Sequence, residues 1–182
     1  MNFSPTVIPE VIAITPRVFG DSRGFFMETW HAAKFAAAGL DLHFVQDNHS
    51  KSVQGTLRGI HYQIEQPQGK LVRVISGEVF DVAVDLRKSS PTFGKWVGIV
   101  LSAANKKMFW VPPGFGHAFY VMSAEAEFVY KCTELYAPEH ERCLRWDAPD
   151  LGVDWPLVDG RAPLLSPKDL AGATLATAEI YP

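Results

Sequence analysis

The amino-acid sequence predicts an all-β protein, an antiparallel barrel or double-sheet jelly roll with short flanking helices. Its 14 glycines and 13 prolines are spread over all 182 residues, where they separate short runs rich in β-branched and aromatic side chains. Segments with a composition typical of helices are rare by comparison. The length favours one domain covering residues 1–182, since domains commonly contain about 100–200 residues.

The clearest predicted strand covers residues 79–86, where an apolar face alternates with a face that carries Asp81 and Asp85. Residues 70–75 precede it through a short connection containing Gly77, which is typical of a hairpin. The other predicted strands are residues 7–15, 24–29, 44–50, 56–63, 96–101, 107–111, 117–122, 127–133 and 143–146.

Two short helices complete the prediction. Residues 32–38 are rich in alanine, and Gly39 is a typical residue for closing a helix at its C-terminus. A second helix is expected to start near Ser166, because serine caps helices and Pro167 is favoured in a first turn.

The composition excludes several classes of protein. A hydrophobic content of 47% with a formal net charge of −3 can fill a core and rules out bulk disorder. With 17 Lys+Arg against 20 Asp+Glu, no basic surface for a nucleic acid polymer is suggested. No apolar run approaches the roughly 20 residues of a membrane span, and no signal peptide is recognisable. Two cysteines without metal-ligand spacing favour a reducing cytoplasm.

A histidine and a lysine in neighbouring predicted strands are candidates for proton chemistry. His61 can exchange protons near neutral pH, and Lys70 can place a positive charge beside a developing oxyanion. On a regular strand Arg58 and His61 would point to opposite faces of the sheet. We therefore expect a bulge at Gly59 that brings both side chains into one cavity. Taken alone, each residue is more typical of an ordinary surface or core position than of a catalytic role.

The turn that leads into His117 has the spacing Pro-x-Gly-x-x-His. In a β-rich chain this spacing resembles the second signature of the cupin superfamily, whose histidine often binds a metal together with an earlier His-x-His pair. Here the earlier strand offers His61-Tyr62-Gln63, so the pair is missing and no metal site is expected.

Two further residues have both a structural and a chemical interpretation. Tyr130 shares a strand face with Phe128 and Cys132, which is typical of a packed core tyrosine. Asp169 follows Ser166-Pro167-Lys168 and either caps a helix or orients a histidine by accepting its ring N–H.

Eight short segments follow one another along the chain, and each is a weak signal alone. They are residues 20–28, 45–50, 57–61, 69–73, 77–87, 112–117, 130–131 and 166–169. Their order and spacing, between about residues 5 and 175, make the joint pattern specific. Together they resemble the dTDP-4-dehydrorhamnose 3,5-epimerase family.

The resemblance implies a cupin-type jelly roll, a homodimer that exchanges N-terminal strands, and no cofactor. It implies that dTDP-4-dehydro-6-deoxy-D-glucose is converted to dTDP-4-dehydro-L-rhamnose in dTDP-L-rhamnose biosynthesis. His61 is then the general base, Asp169 its orienting partner, Lys70 the enolate stabiliser and Tyr130 the acid. Arg23 is expected to serve the site of the partner subunit. The residues matching positions that line the nucleotide-sugar site are Arg23, Glu28, Gln46, Asp47, Asn48, Arg58, Lys70, His117, Glu141 and Lys168.

The residue types suit this chemistry. A 4-keto group makes the protons on carbons 3 and 5 removable, because the carbanion delocalises onto oxygen as an enolate. Inversion then needs a base on one face, charge stabilisation at the ketone oxygen and a proton donor on the opposite face. Imidazole, ammonium and phenol groups fit these three roles.

Three alternatives remain open from the sequence. A sister enzyme that inverts only carbon 3 or carbon 5 is the nearest, although the presence of Tyr130 favours the double epimerase. A metal-dependent cupin oxygenase or isomerase would require a bound metal. A non-catalytic sugar-sensing barrel would tolerate loss of His61, and no DNA-binding segment is recognisable in the chain.

Overall fold

The fold consists of thirteen strands and two short α-helices, as seen in a computed structural model that describes residues 1–182. The strands are β1 (Asn2–Pro5), β2 (Ile12–Thr15), β3 (Val18–Asp21), β4 (Gly24–Met27), β5 (Gln46–Val53), β6 (Leu57–Gln63), β7 (Lys70–Ser76), β8 (Glu78–Asp85), β9 (Trp96–Ser102), β10 (Met108–Val111), β11 (Phe115–Val121), β12 (Glu125–Cys132) and β13 (Glu141–Cys143). The helices are α1 (Ala32–Ala37) and α2 (Pro167–Leu170), and short 3-10 turns cover Pro138–His140 and Val158–Gly160.

The strands form two large antiparallel sheets and one separate hairpin. One sheet has the order β1-β2-β10-β7-β12-β5, and the other has the order β13-β6-β11-β8-β9. From β5 to β8, and again from β9 to β13, consecutive strands alternate between the two sheets, as in a double-sheet jelly roll, and the predicted fold class is confirmed. The hairpin β3-β4 pairs with neither sheet.

Strand β8 shows how the core is divided. Its apolar face, which includes Val82 and Val84, packs with Trp155 and other residues of the C-terminal segment on the outside of the five-stranded sheet. Its other face points between the sheets, where Val79 and Ala83 join the main core. Both faces are buried, so the carboxylates on the inner face lie inside the protein and need partners there.

Two predicted strands differ from the structure. Residues 7–15 were expected to be continuous, but the Thr6 N–H donates to the Val11 carbonyl at 3.0 Å and closes a turn, so only Ile12–Thr15 is a strand. The strand expected at residues 143–146 lies at Glu141–Cys143, where it pairs with β6. The strands β1 and β3 were not predicted.

Both predicted helices are present. Helix α1 buries Phe35 against the outside of the six-stranded sheet, and Gly39 follows it in the left-handed region with φ 83°. Ser166 caps α2 in a reciprocal capping box with Asp169. No helix of the structure is long and apolar enough to cross a membrane.

Candidate active site

A cavity of about 320 Å³ opens between the two large sheets, a volume typical of small-molecule sites. The six-stranded sheet supplies side chains from β5, β7 and β12, and the five-stranded sheet supplies them from β6, β11 and β13. The predicted site residues that line it are Gln46, Asn48, Arg58, His61, Lys70, His117, Tyr130, Glu141 and Lys168. Nine residues scattered over the sequence are thus brought together in one place.

A bulge in β6 places Arg58 and His61 in this cavity. Arg58 pairs with Phe119 of β11, whereas His61 pairs with His117, so two residues of β6 stand opposite one of β11. Gly59 has φ 121°, and a Cβ at this position would lie 2.5 Å from the His117 carbonyl oxygen. Only glycine fits here, and the expected bulge is confirmed.

His61 is held by a buried carboxylate. Its Nε2 donates to Asp169 Oδ1 at 2.7 Å, and Asp169 is only 3% exposed. Burial alone would raise the pKa of Asp169, but hydrogen bonds from His61, Ser166 and the Gly59 backbone outweigh it and hold the pKa well below its ordinary value. The carboxylate therefore stays ionised and keeps the Nε2 proton in place, which leaves Nδ1 as the basic nitrogen of the neutral ring.

Lys70 and Tyr130 face His61 from the opposite sheet. Lys70 begins β7, and Tyr130 stands beside β7 in β12, opposite Val72. Burial lowers the pKa of the Lys70 ammonium, and burial also raises the pKa of Tyr130 to about 12. The Lys70 ammonium and the Tyr130 hydroxyl make no hydrogen bond within the protein. Both groups are consequently free to contact a ligand in the cavity.

His117 is held in a second histidine–carboxylate pair. Its Nε2 lies 2.9 Å and 3.0 Å from the two oxygens of Asp81, which is fully buried. Burial raises the pKa of Asp81, and the neighbouring His117 opposes this effect. Sequence reasoning missed Asp81, although a carboxylate in the middle of the clearest strand was a signal for an internal partner.

Glu141 and Lys168 meet at the rim of the cavity, where Lys168 Nζ donates to Glu141 Oε1 at 2.7 Å. The Tyr136 hydroxyl donates to the other carboxylate oxygen at 2.9 Å. Burial would raise the pKa of Glu141, but these two hydrogen bonds lower it. Tyr136 and the neighbouring lining residue Gln68 were also missed, because both lie in irregular segments without a recognisable pattern.

Three predicted binding residues lie outside the cavity of their own chain. Arg23 is fully exposed to solvent near the tip of the β3-β4 hairpin. Glu28 forms an ion pair with Lys34 at 2.7 Å. The Asp47 carboxylate projects from the outer face of β5, where it binds Lys131 at 2.9 Å. The Asp47 side chain therefore does not line the cavity of its own chain, because alternate residues of β5 face opposite sides of the sheet, and its role in binding stays a prediction.

Comparison with known proteins agrees with this geometry. The family model described as dTDP-4-dehydrorhamnose 3,5-epimerase matches residues 5–177. A curated relative of that name from Pseudomonas aeruginosa is 58% identical over 100% of both chains. This chain belongs to the dTDP-4-dehydrorhamnose 3,5-epimerase family. The predicted family and enzyme class are confirmed: the chain is an isomerase of the epimerase type.

Two solved structures are similar to this epimerase in both sequence and fold. The enzyme from Legionella pneumophila, in complex with dTDP-4-keto-L-rhamnose, has a TM-score of 0.94 and 52% identity, covering 98% of this chain and 94% of its own. A 3'-monoepimerase from Streptomyces bikiniensis, in complex with dTDP-quinovose, has a TM-score of 0.89 and 37% identity, covering 95% and 87%. The fold is therefore shared by enzymes that invert one centre and enzymes that invert two.

Proposed function

We propose that this epimerase converts dTDP-4-dehydro-6-deoxy-D-glucose to dTDP-4-dehydro-L-rhamnose, within dTDP-L-rhamnose biosynthesis in the cytoplasm. One observation supports the proposal above others: His61 and Tyr130 belong to opposite sheets and line the same cavity. A sugar ring bound between the sheets has one face toward a base and the other toward a proton donor. This is the arrangement that inversion at a carbon requires.

His61 removes the proton from the carbon next to the ketone. The neutral ring accepts it, and the ionised Asp169, 2.7 Å from Nε2, stabilises the resulting imidazolium. Asp169 itself keeps no proton, because hydrogen bonds from His61, Ser166 and the Gly59 backbone hold its pKa low despite burial. A general base positioned in this way contributes about 10²–10⁴-fold to the rate.

Lys70 stabilises the enolate that forms when the proton leaves. Its ammonium group has no anionic partner in direct contact, so it is available to the ketone oxygen as negative charge develops there. In a partly enclosed cavity such a donor commonly lowers the barrier by about 2.7–4 kcal/mol.

Tyr130 returns a proton to the other face of the carbon. A phenol whose pKa is about 12 remains protonated at neutral pH and therefore has a proton to give. The phenolate that results is reprotonated from solvent, and His61 releases its proton likewise. The cycle is thus balanced at each carbon, and the same groups serve carbons 3 and 5.

The cationic side chains at the cavity rim bind the diphosphate. Arg58 is exposed, and its guanidinium is oriented by Ser52 through an Nε–Oγ hydrogen bond of 3.1 Å. Lys168 supplies a second cation beside it. Arginine forks match the geometry of phosphate oxygens, so this edge suits the charged part of a nucleotide sugar.

A homodimer completes the site. The β3-β4 hairpin exposes Phe25 and Phe26, which are 61% and 70% accessible in the single chain, with Arg23 between the strands. Exposed aromatic residues grouped in this way are typical of an interface. The exchange of N-terminal segments is therefore proposed for this hairpin, since β1 and β2 pair within the chain through β10.

Inversion of one centre only is the second candidate, because a 3'-monoepimerase shares the fold. Proton NMR of the substrate in deuterated water separates the two candidates directly. We expect deuterium at carbons 3 and 5 with formation of the L-sugar. Deuterium at carbon 3 alone, with the configuration at carbon 5 retained, would contradict the double epimerisation.

A further inference from the structure

Cys143 lies beside the proposed base and takes no part in the proton transfers described above. It stands directly opposite His61 in the pairing of β13 with β6. Its thiol is not part of a disulfide, and Sγ donates one hydrogen bond of 3.3 Å to the Leu144 carbonyl. A ring nitrogen of His61, the Cys143 Sγ and a carboxylate oxygen of Asp169 all lie within 4.8 Å of one another.

We propose that these three groups form a binding site for zinc, and that the bound ion reversibly inhibits the epimerase. Tetrahedral zinc binds sulfur at about 2.3 Å and nitrogen or oxygen at about 2.0–2.2 Å, which places its ligand atoms roughly 3.3–3.7 Å apart. The separations in the cluster are at most 4.8 Å, and His61 Nε2 and Asp169 Oδ1 are closer together, at 2.7 Å. Small side-chain rotations of Cys143 and His61 therefore complete the coordination.

The donor set favours zinc over the common hard cations. Magnesium and calcium prefer oxygen ligands, whereas imidazole, thiolate and carboxylate groups are all ligands that zinc binds. The second oxygen of Asp169 accepts from Ser166 Oγ at 2.6 Å, so the carboxylate is already oriented as an outer partner orients a metal ligand. The fourth position is left to water or substrate, because His61 lines the substrate cavity.

Inhibition follows from the identity of the ligands. Zinc binding releases the Sγ proton of Cys143, and it also releases the Nε2 proton of His61 when the ion takes that nitrogen. A metal-bound imidazole cannot serve as the base, and a metal-bound Asp169 no longer orients it. The inhibitory effect rests on the proposed role of His61, whereas binding of the ion does not.

The test measures zinc binding and substrate deuterium exchange on the same dimeric protein. Free zinc is set with nitrilotriacetate, binding is measured by equilibrium dialysis, and exchange is followed by NMR without a coupling enzyme. At a free zinc concentration ten times the dissociation constant, we expect exchange to fall about 11-fold and to recover when EDTA is added. One zinc ion should bind per chain.

Two cysteine variants make the test specific. Cys143→Ser should keep the zinc-free exchange rate and lose zinc affinity by more than the roughly 10–100-fold that removal of an outer partner costs. Cys132→Ser, which changes the other free cysteine, should be inhibited like the unaltered protein.

Three results would overturn the proposal in distinguishable ways. Equal inhibition of the Cys143→Ser variant and the unaltered protein would contradict the proposed zinc site. The absence of binding at micromolar free zinc would contradict it as well. Binding that depends on Cys143 but leaves exchange intact removes the inhibitory role and contradicts His61 as the base. Loss of exchange in His61→Ala without zinc tests the base separately, so failure of the metal site leaves the proposed function standing.

Discussion

His61 and His117 lie directly opposite each other in adjacent strands, and each donates a ring Nε2 hydrogen bond to a buried carboxylate. The two pairs differ in electrostatics. The partner of His61, Asp169, has a lowered pKa because hydrogen bonds outweigh its burial, whereas burial raises the pKa of Asp81 beside His117. The carboxylate beside His61 is therefore the more firmly ionised of the two, which favours His61 as the base.

The first prediction concerns Asp169→Asn. The amide retains the shape of the carboxylate but removes the charge that orients His61 and stabilises its protonated form, so exchange should slow by about 10²–10⁴-fold. Single-turnover exchange at carbons 3 and 5 measures this. A loss of less than tenfold would contradict an orienting role, provided that circular dichroism shows an intact fold.

Tyr130→Phe should separate the two halves of the reaction. Proton removal by His61 does not need the phenol, so exchange should persist while net epimerisation falls further. The matched control is Tyr62→Phe, because the Tyr62 hydroxyl donates to the Glu179 carbonyl outside the cavity. Equal losses of exchange and epimerisation in Tyr130→Phe would argue against a distinct role as proton donor.

Gly59→Ala should damage both stability and activity. The new Cβ would lie 2.5 Å from the His117 carbonyl oxygen on a backbone with φ 121°, so the β6 bulge must shift. Strain of this kind costs of order 1–3 kcal/mol. Gly152→Ala is the control, because Gly152 also has a positive φ of 60° but nothing within 4 Å. Urea unfolding should show a larger loss of unfolding free energy for Gly59→Ala than for Gly152→Ala. Substrate exchange should be slower only in Gly59→Ala.

Subunit mixing tests the contribution of Arg23. If Arg23 serves the partner's site, dimers of Arg23→Ala and His61→Ala chains contain one complete site. Unfolding and refolding the two variants together should then restore exchange toward a quarter of the unaltered rate, because half of the dimers are mixed and each mixed dimer has one complete site of two. No recovery in dimers isolated with two different affinity tags would show that Arg23 acts within its own chain or not at all.

Local patterns predicted part of this site and missed the rest for physical reasons. The β6 bulge was predictable because strand parity separates Arg58 from His61 and glycine permits the irregularity. Alternation along β5 also puts the Asp47 side chain on the outer face of the sheet. A resemblance over the consecutive residues 45–50 does not distinguish the inner from the outer face. Asp81 was missed because its partner depends on the register of β11 with β8, which alternation within one strand does not reveal.

The capping box of α2 links catalysis to the order of the C-terminal segment. Asp169 begins this helix with Ser166 and orients His61 through the same carboxylate. Fraying of this one helical turn would therefore inactivate the enzyme while both sheets remain folded. Such fraying can precede global unfolding, because local opening requires less free energy. Activity should consequently be lost below the melting temperature of the barrel, and limited proteolysis near Ser166 should inactivate the protein without unfolding it.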